Sequence, residues 1–217
     1  MYQRRKRIAL LDPGEDLEPF FRLQHGDARH AVEEIGIHTL GSIDYPPHMM
    51  VPTDSVLSAL AREVGVRLLE DGRRLVTAES CTGGWIAKLC TDIAGSSDWF
   101  DCGFVCYSNA AKVRDLGVPQ KLLDSDGAVS EPVVRAMAEG ALARTGANVA
   151  IAVSGIAGPG GAVPGKPVGT VWFALATKVG DRLVCQGHLI LFVGNRDAVR
   201  RHAVEYALNL LRSLVAA

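Results

Sequence analysis

Residues 79–84 read Glu-Ser-Cys-Thr-Gly-Gly, which places a carboxylate, two hydroxyls, a thiol and two glycines side by side. The apolar run Leu75-Val76-Thr77-Ala78 before them reads as the end of a strand, and Trp85 to Cys90 after them as a helix. A strand that turns sharply into a helix leaves the first helical N–H groups without partners. It also directs the positive end of the helix dipole at whatever lies above the turn. Hydroxyls and glycines in such a place suit either anion binding or a nucleophile with oxyanion donors beside it. They are equally compatible with a helix capped by Ser80 or Thr82 whose glycines merely permit the turn.

Two further stretches carry side chains of chemical interest. Gly103-Phe104-Val105-Cys106-Tyr107 reads as a strand leading into Ser108-Asn109-Ala110-Ala111-Lys112, where Ser108 or Asn109 can cap a short helix ending near Gly117. Tyr107 then stands at a strand end and Lys112 in the first turns of a helix, both able to face the mouth of an open α/β sheet. The plainer alternatives are a half-buried strand aromatic and a solvated helix lysine. The run Asn148 to Ser154 is continuously apolar, as a buried central strand is, and it opens into Gly155-Ile156-Ala157-Gly158-Pro159-Gly160-Gly161. Such a loop lets backbone N–H groups approach a ligand closely, or is simply a surface connection.

The elements that must hold these residues follow from periodicity and punctuation. From a cap at Thr53 or Asp54, Leu57, Leu60, Ala61, Val64 and Leu68 recur at helical spacing until Gly72. Ser130-Glu131-Pro132 starts another helix, with proline in the first turn. Val168 to Thr177 and Arg182 to Val193 form strands whose Lys178-Val179-Gly180-Asp181 connection predicts an antiparallel hairpin. Asn195 caps a final helix, and Arg196, Arg200 and Arg201 in its first turns either reach a phosphate or are solvated. Helices alternating with strands, plus a terminal hairpin, predict an α/β fold: a three-layer α/β/α sandwich with a mixed, mostly parallel sheet.

Composition narrows the function classes. Apolar residues make up 48% of the 217, enough for a sizeable core, and the formal charge of -1 offers no bulk attraction to nucleic acid or anionic membranes. No apolar run approaches a membrane span and no signal peptide opens the chain, so a cytoplasmic location is expected. The five cysteines lie in or near apolar segments, which suits reduced core thiols, and their spacing does not predict a metal site. Residues 1–50 differ from the rest: Arg4-Arg5-Lys6-Arg7, scattered prolines and no sustained periodicity predict a poorly ordered extension, with the functional domain over 51–217.

Thr77 to Gly84, Gly95-Ser-Ser97, Tyr107 to Lys112, Gly127-Ala-Val-Ser130, Ser154 to Gly161 and Lys166-Pro-Val-Gly-Thr-Val-Trp172 occur in that order. Together they resemble the CinA C-terminal domain family over roughly residues 53 to 215. Stand-alone bacterial members of that family are nicotinamide-nucleotide amidases. The resemblance implies hydrolysis of the carboxamide of nicotinamide mononucleotide to nicotinic acid mononucleotide and ammonia, in pyridine-nucleotide salvage. It implies a serine nucleophile at Ser80, with the family's tyrosine and lysine at Tyr107 and Lys112. It further implies the same three-layer fold, no cofactor, and a homodimer. Asn195 stands where the family pattern leads us to expect aspartate, and either residue caps a helix.

Amide hydrolysis needs a nucleophile, a base, an acid for the departing ammonia and donors for the oxyanion. No histidine lies in any motif loop; His188 falls in a strand and His202 in the last helix, so a Ser-His-Asp arrangement is poorly supported. Lys112 is the better base if desolvation or a nearby cation lowers its pKa, and Tyr107 can relay a proton or donate to the leaving nitrogen. N–H groups from Cys81, Thr82, Gly83 and Gly84 suit the oxyanion, and Glu79 a cationic pyridinium ring. The substrate phosphate has two competing sites: the 82–84 turn, and the loop of Ser154, Gly155, Gly158, Gly160 and Gly161. A noncatalytic nucleotide-binding module that regulates a partner is the alternative, and burial of Lys112 separates the two.

Overall fold

The structure, a computed structural model, describes residues 50–214. The expected extension over residues 1–50 falls, except for Met50, outside the described residues. Among those described, six α-helices and five strands are α1 (Asp54–Glu70), β1 (Leu75–Glu79), α2 (Trp85–Thr91), β2 (Phe100–Val105), α3 (Asn109–Leu116), α4 (Gln120–Ser125), α5 (Glu131–Arg144), β3 (Val149–Gly155), β4 (Thr170–Val179), β5 (Arg182–Leu191) and α6 (Arg196–Leu214).

The strands form one sheet in the order β2-β1-β3-β4-β5. β1 pairs in parallel with β2 and with β3, while β4 is antiparallel to both β3 and β5. Four strands therefore run in one sense and β4 alone runs against them. The chain leaves the end of β1 toward β2 but leaves the end of β3 toward β4, so the two connections diverge. Open α/β sheets bind ligands in the crevice such a divergence creates.

Alternation along the strands separates two cores. Leu75, Ile151, Val153, Phe173 and Leu175 point to the layer of α1, α2 and α6. Val76, Ala78, Ala150, Ala152, Ala174 and Ala176 point to the layer of α3, α4 and α5. The second face is built mostly from alanine, so α5 sits close to the sheet and α3 close to α5. At Gly140 a Cβ would lie 1.9 Å from the Leu116 carbonyl oxygen. That contact fixes the C-terminal end of α3, the helix that carries Lys112.

The caps follow their chemistry. Thr53 Oγ1 accepts from the Val56 N–H, Ser108 Oγ from the Ala111 N–H and Asn195 Oδ1 from the Ala198 N–H. Several boundaries differ from the sequence reading: the strands expected over Val168 to Thr177 and Arg182 to Val193 run Thr170–Val179 and Arg182–Leu191. β2 stops at Val105: Cys106 N–H makes a last bond to the Glu79 carbonyl, and the Cys106 and Tyr107 carbonyls then turn to Lys112 Nζ. The hairpin closes on Gly180-Asp181 alone, with Val179 opposite Arg182. Helix α4 was not anticipated: six residues after Pro119 are too few to display a period.

Candidate active site

Side-chain alternation at the end of β1 sorts the two residues of greatest interest. Glu79 points into the layer of α2 and Ser80, the next residue, to the side of α3. The Ser80 turn is held from both flanks, since Ser80 N–H donates to the Val153 carbonyl of β3 and Cys106 N–H to the Glu79 carbonyl. Ser80 thus sits between the end of β2 and the glycine loop that follows β3.

Lys112 reaches Ser80 from α3. Its side chain is 1% exposed, and Nζ lies 3.2 Å from Ser80 Oγ, 2.9 Å from the Cys106 carbonyl and 3.2 Å from the Tyr107 carbonyl. An ammonium donates one hydrogen to each of the three. In the neutral amine two hydrogens serve the two carbonyls, and the lone pair is left facing the Ser80 hydroxyl. Burial lowers the Lys112 pKa below its ordinary 10.5, and no carboxylate pairs with it among the described residues. A serine that donates to a desolvated lysine is the arrangement an activated nucleophile requires.

Glu79 lies elsewhere. Its carboxylate is fully buried and accepts from the Ile86 N–H at 3.1 Å and the Ala87 N–H at 2.8 Å. It therefore neutralises the start of α2 itself, and those two helical N–H groups are taken. The donors left in the turn are the N–H groups of Cys81, Thr82 and Gly84, which meet no acceptor among the described residues, while Gly83 N–H returns to the Ser80 carbonyl. Gly83 and Gly84 have φ of +65° and +89°, a conformation that L side chains rarely adopt. Cys81 is buried, and burial pushes its thiol up to about 12, so it stays protonated beside Ser80.

Tyr107 contributes its carbonyl to Lys112, but its phenol turns outward. The side chain is 64% exposed, and its hydroxyl accepts from Arg196 Nη2 at 3.4 Å. The other arm of that guanidinium donates to the Gly158 carbonyl at 2.8 Å. Arg196, read from the sequence as either reaching a phosphate or solvated, thus joins the glycine loop to Tyr107 at the mouth of the site. Ser154 is buried, and its hydroxyl donates to the Ala128 carbonyl at 2.8 Å. Lys166 Nζ donates to the Asp126 carbonyl at 2.6 Å. These two bonds tie the glycine loop to the 126–130 segment. The N–H groups of Gly158, Gly160 and Gly161 meet no acceptor among the described residues, whereas Gly155 is still within β3.

Arg200 is a residue whose role the sequence did not disclose. Nε donates to the Cys81 carbonyl at 3.1 Å and Nη2 to the Thr82 carbonyl at 3.0 Å. Arg201 is engaged by Asp54, Asp197 and the Pro52 carbonyl. A surface hollow of about 470 Å³ lies behind the turn, bordered by Gly83, Gly84, Trp85, Arg200 and Arg201. Neither Ser80 nor Lys112 lines it, so the hydrogen-bond geometry and not the hollow locates the site.

Known proteins share this architecture. A family model for the CinA C-terminal domain matches residues 57–215. The protein named nicotinamide-nucleotide amidohydrolase PncC from Escherichia coli K12 is 55% identical over 159 residues, which cover 73% of this chain and 94% of the relative. Its namesake from Pseudomonas putida is 50% identical over 158 residues, covering 73% of this chain and 96% of the relative. The crystal structure of the competence damage-inducible protein ComA from Klebsiella pneumoniae superposes with a TM-score of 0.69 at 41% identity, over 74% of this chain and 97% of that one. The competence/damage inducible protein CihA from Agrobacterium tumefaciens does so with a TM-score of 0.69 at 42% identity, over 76% and 98%. The motifs, the fold and the matched length agree, and the chain belongs to the CinA C-terminal domain family.

Proposed function

We propose that the chain hydrolyses the carboxamide of nicotinamide mononucleotide to nicotinic acid mononucleotide and ammonia, with Ser80 as nucleophile and Lys112 as its base. The observation that carries this reading is the buried Lys112 Nζ, 3.2 Å from Ser80 Oγ and bound to two main-chain carbonyls. The names of the relatives supply the substrate class. A module that only bound nucleotide would have no use for a desolvated amine against a hydroxyl, and burying one is costly.

Neutral Lys112 takes the Ser80 proton as Oγ bonds to the carboxamide carbon. The resulting oxyanion faces the free N–H groups of the 81–84 turn. Protonated Lys112 returns its proton to the amide nitrogen as the C–N bond breaks, and ammonia leaves. Water then enters, gives its proton to Lys112 and bonds to the acyl carbon. The Ser80 Oγ–C bond breaks, Lys112 reprotonates Oγ, and nicotinic acid mononucleotide departs, its carboxyl proton passing to solvent to leave the carboxylate. Each step uses groups of this chain, so a chelator is expected to leave turnover unchanged.

The start of α2 holds the Glu79 carboxylate, Arg201 is neutralised by Asp54 and Asp197, and Arg200 holds two carbonyls of the Ser80 turn itself. The two partners of Arg196, by contrast, are neutral and lie on the glycine loop and Tyr107. Arg196 stands at the mouth beside the glycine loop and Tyr107. The substrate phosphate accordingly goes to the Arg196 side, with the N–H groups of Gly158, Gly160 and Gly161, and the turn at Ser80 serves the oxyanion. Ammonia release from nicotinamide mononucleotide is the direct test, comparing wild type with Ser80→Ala and Lys112→Ala. Both variants should lose turnover. Activity surviving in Ser80→Ala would remove the nucleophile assignment, and tight binding without ammonia release would establish a binding module instead.

A further inference from the structure

The Ser80 turn has no side chain of its own that fixes the orientation of its peptide planes. Ser80 Oγ is engaged by Lys112, Thr82 Oγ1 is buried without a partner among the described residues, and residues 83 and 84 are glycines. Glycine peptides reorient at little steric cost. Main-chain bonds within the turn hold two of its planes, Gly83 N–H to the Ser80 carbonyl and Trp85 N–H to the Thr82 carbonyl, and α6 supplies the rest: the guanidinium of Arg200 forks between the Cys81 and Thr82 carbonyls at 3.1 and 3.0 Å. Arg200 is itself set by Trp85, over whose ring its Cζ lies 5.1 Å from the centroid.

A trans peptide carries its N–H opposite its C=O. Holding the Cys81 carbonyl toward α6 therefore turns the Thr82 N–H to the other side of the turn, where Ser80 Oγ and Lys112 lie. We propose that Arg200 is a positioning residue: by gripping the Cys81 carbonyl, braced on the Thr82 carbonyl, it presents the free Thr82 N–H of the turn to the oxyanion formed on Ser80. This rests on the reading of Ser80 as nucleophile. Arg200 bonds the two carbonyls and makes no hydrogen bond to Ser80 Oγ, whose partner is Lys112. A lysine cannot replace it, because one ammonium on a flexible stem does not reproduce the planar fork.

The test measures ammonia release from nicotinamide mononucleotide by the full chain for wild type, Arg200→Ala and Arg200→Lys, together with melting temperatures. Arg200→Ala is expected to lower kcat about 10²-fold, the cost of misplacing oxyanion donors, with KM changed less than about threefold. Arg200→Lys should restore less than about a tenth of the lost rate, and it carries the test if the alanine variant does not fold. Millimolar guanidinium, but not ammonium, should accelerate Arg200→Ala. Wild-type kcat in either variant, or equal acceleration by both cations, overturns the proposal. Should wild type release no ammonia, the amidase reading fails, and the positioning claim is decided by hydrogen exchange over residues 79–84. Exchange about tenfold faster in Arg200→Ala supports it, and unchanged exchange overturns it.

Discussion

Replacing Lys112 with methionine keeps most of the volume of the stem and removes only the amine. The side chain is 1% exposed, and its loss leaves the Cys106 and Tyr107 carbonyls without their donor. An orphaned buried acceptor costs about 1–3 kcal/mol. Against this, a buried ammonium carries a desolvation penalty of several kcal/mol, which the variant escapes. The two largely offset, so stability at neutral pH should move by no more than about 2 kcal/mol in either direction, or about 4–8 °C in melting temperature. Turnover should nevertheless fall about 10³-fold, the contribution of a general base. The pH dependence gives a sharper measurement. Burial lowers the folded-state pKa of Lys112 from 10.5, so between the lowered value and 10.5 the unfolded chain binds the extra proton. Wild-type stability relative to the variant must therefore rise with pH across that window, by at most about 1.4 kcal/mol per pH unit, and be level on either side. Urea unfolding of both proteins from about pH 7 to about pH 10 reads this difference directly, because all other titrating groups cancel. The kcat/KM profile of wild type should rise through the same folded-state pKa. A level difference throughout would refute the reasoning, since Lys112 would then titrate in its ordinary place and be unavailable as a base near neutrality.

Three further outcomes follow from the same geometry. Glu79→Gln exchanges one acceptor oxygen for a donor facing a helical N–H and removes the charge at the start of α2; urea titration should show a loss of about 1–3 kcal/mol. Gly140→Ala sets a methyl against the Leu116 carbonyl oxygen, where the available distance is 1.9 Å. It should cost about 1–3 kcal/mol or more in thermal unfolding, and kcat should fall as well because α3 carries Lys112. Tyr107→Phe removes a hydroxyl whose partner is Arg196 at the mouth, so KM should rise about tenfold at most while kcat moves less than KM. A collapse of kcat in this variant, as deep as that of Lys112→Met, would place the phenol in the proton path.

Much of this molecule is legible from its chain. Helical spacing with a Thr53 cap, a continuous apolar run at Val149–Val153 and a Gly-Asp connection each specify an element through local sterics and periodicity, and the described residues carry all three elements. The ordered motifs around Ser80, Tyr107, Lys112 and the glycine loop likewise fixed the family, because they are local strings of residue types. Tertiary structure alone decided which of these residues meet. Ser80 and Lys112 are 32 positions apart and come together only because parallel pairing of β1 with β2 sets α3 beside the end of β1. Burial of Lys112 depends on that packing, and no sequence pattern separates a buried lysine from a solvated one. Glu79 was read as a partner for the substrate ring, but strand alternation turns it to the α2 side, where two helical N–H groups hold it. Arg196 and Arg200 looked like any arginines on a polar helix face; their partners lie 38 and 119 positions away. The residue types of the turn at 79–84 left a nucleophile, an anion site and a plain helix cap all open. Two of its carbonyls bond to Arg200, on a helix near the other end of the chain, and hydrogen bonds over such separations form only once the fold has brought the two segments together.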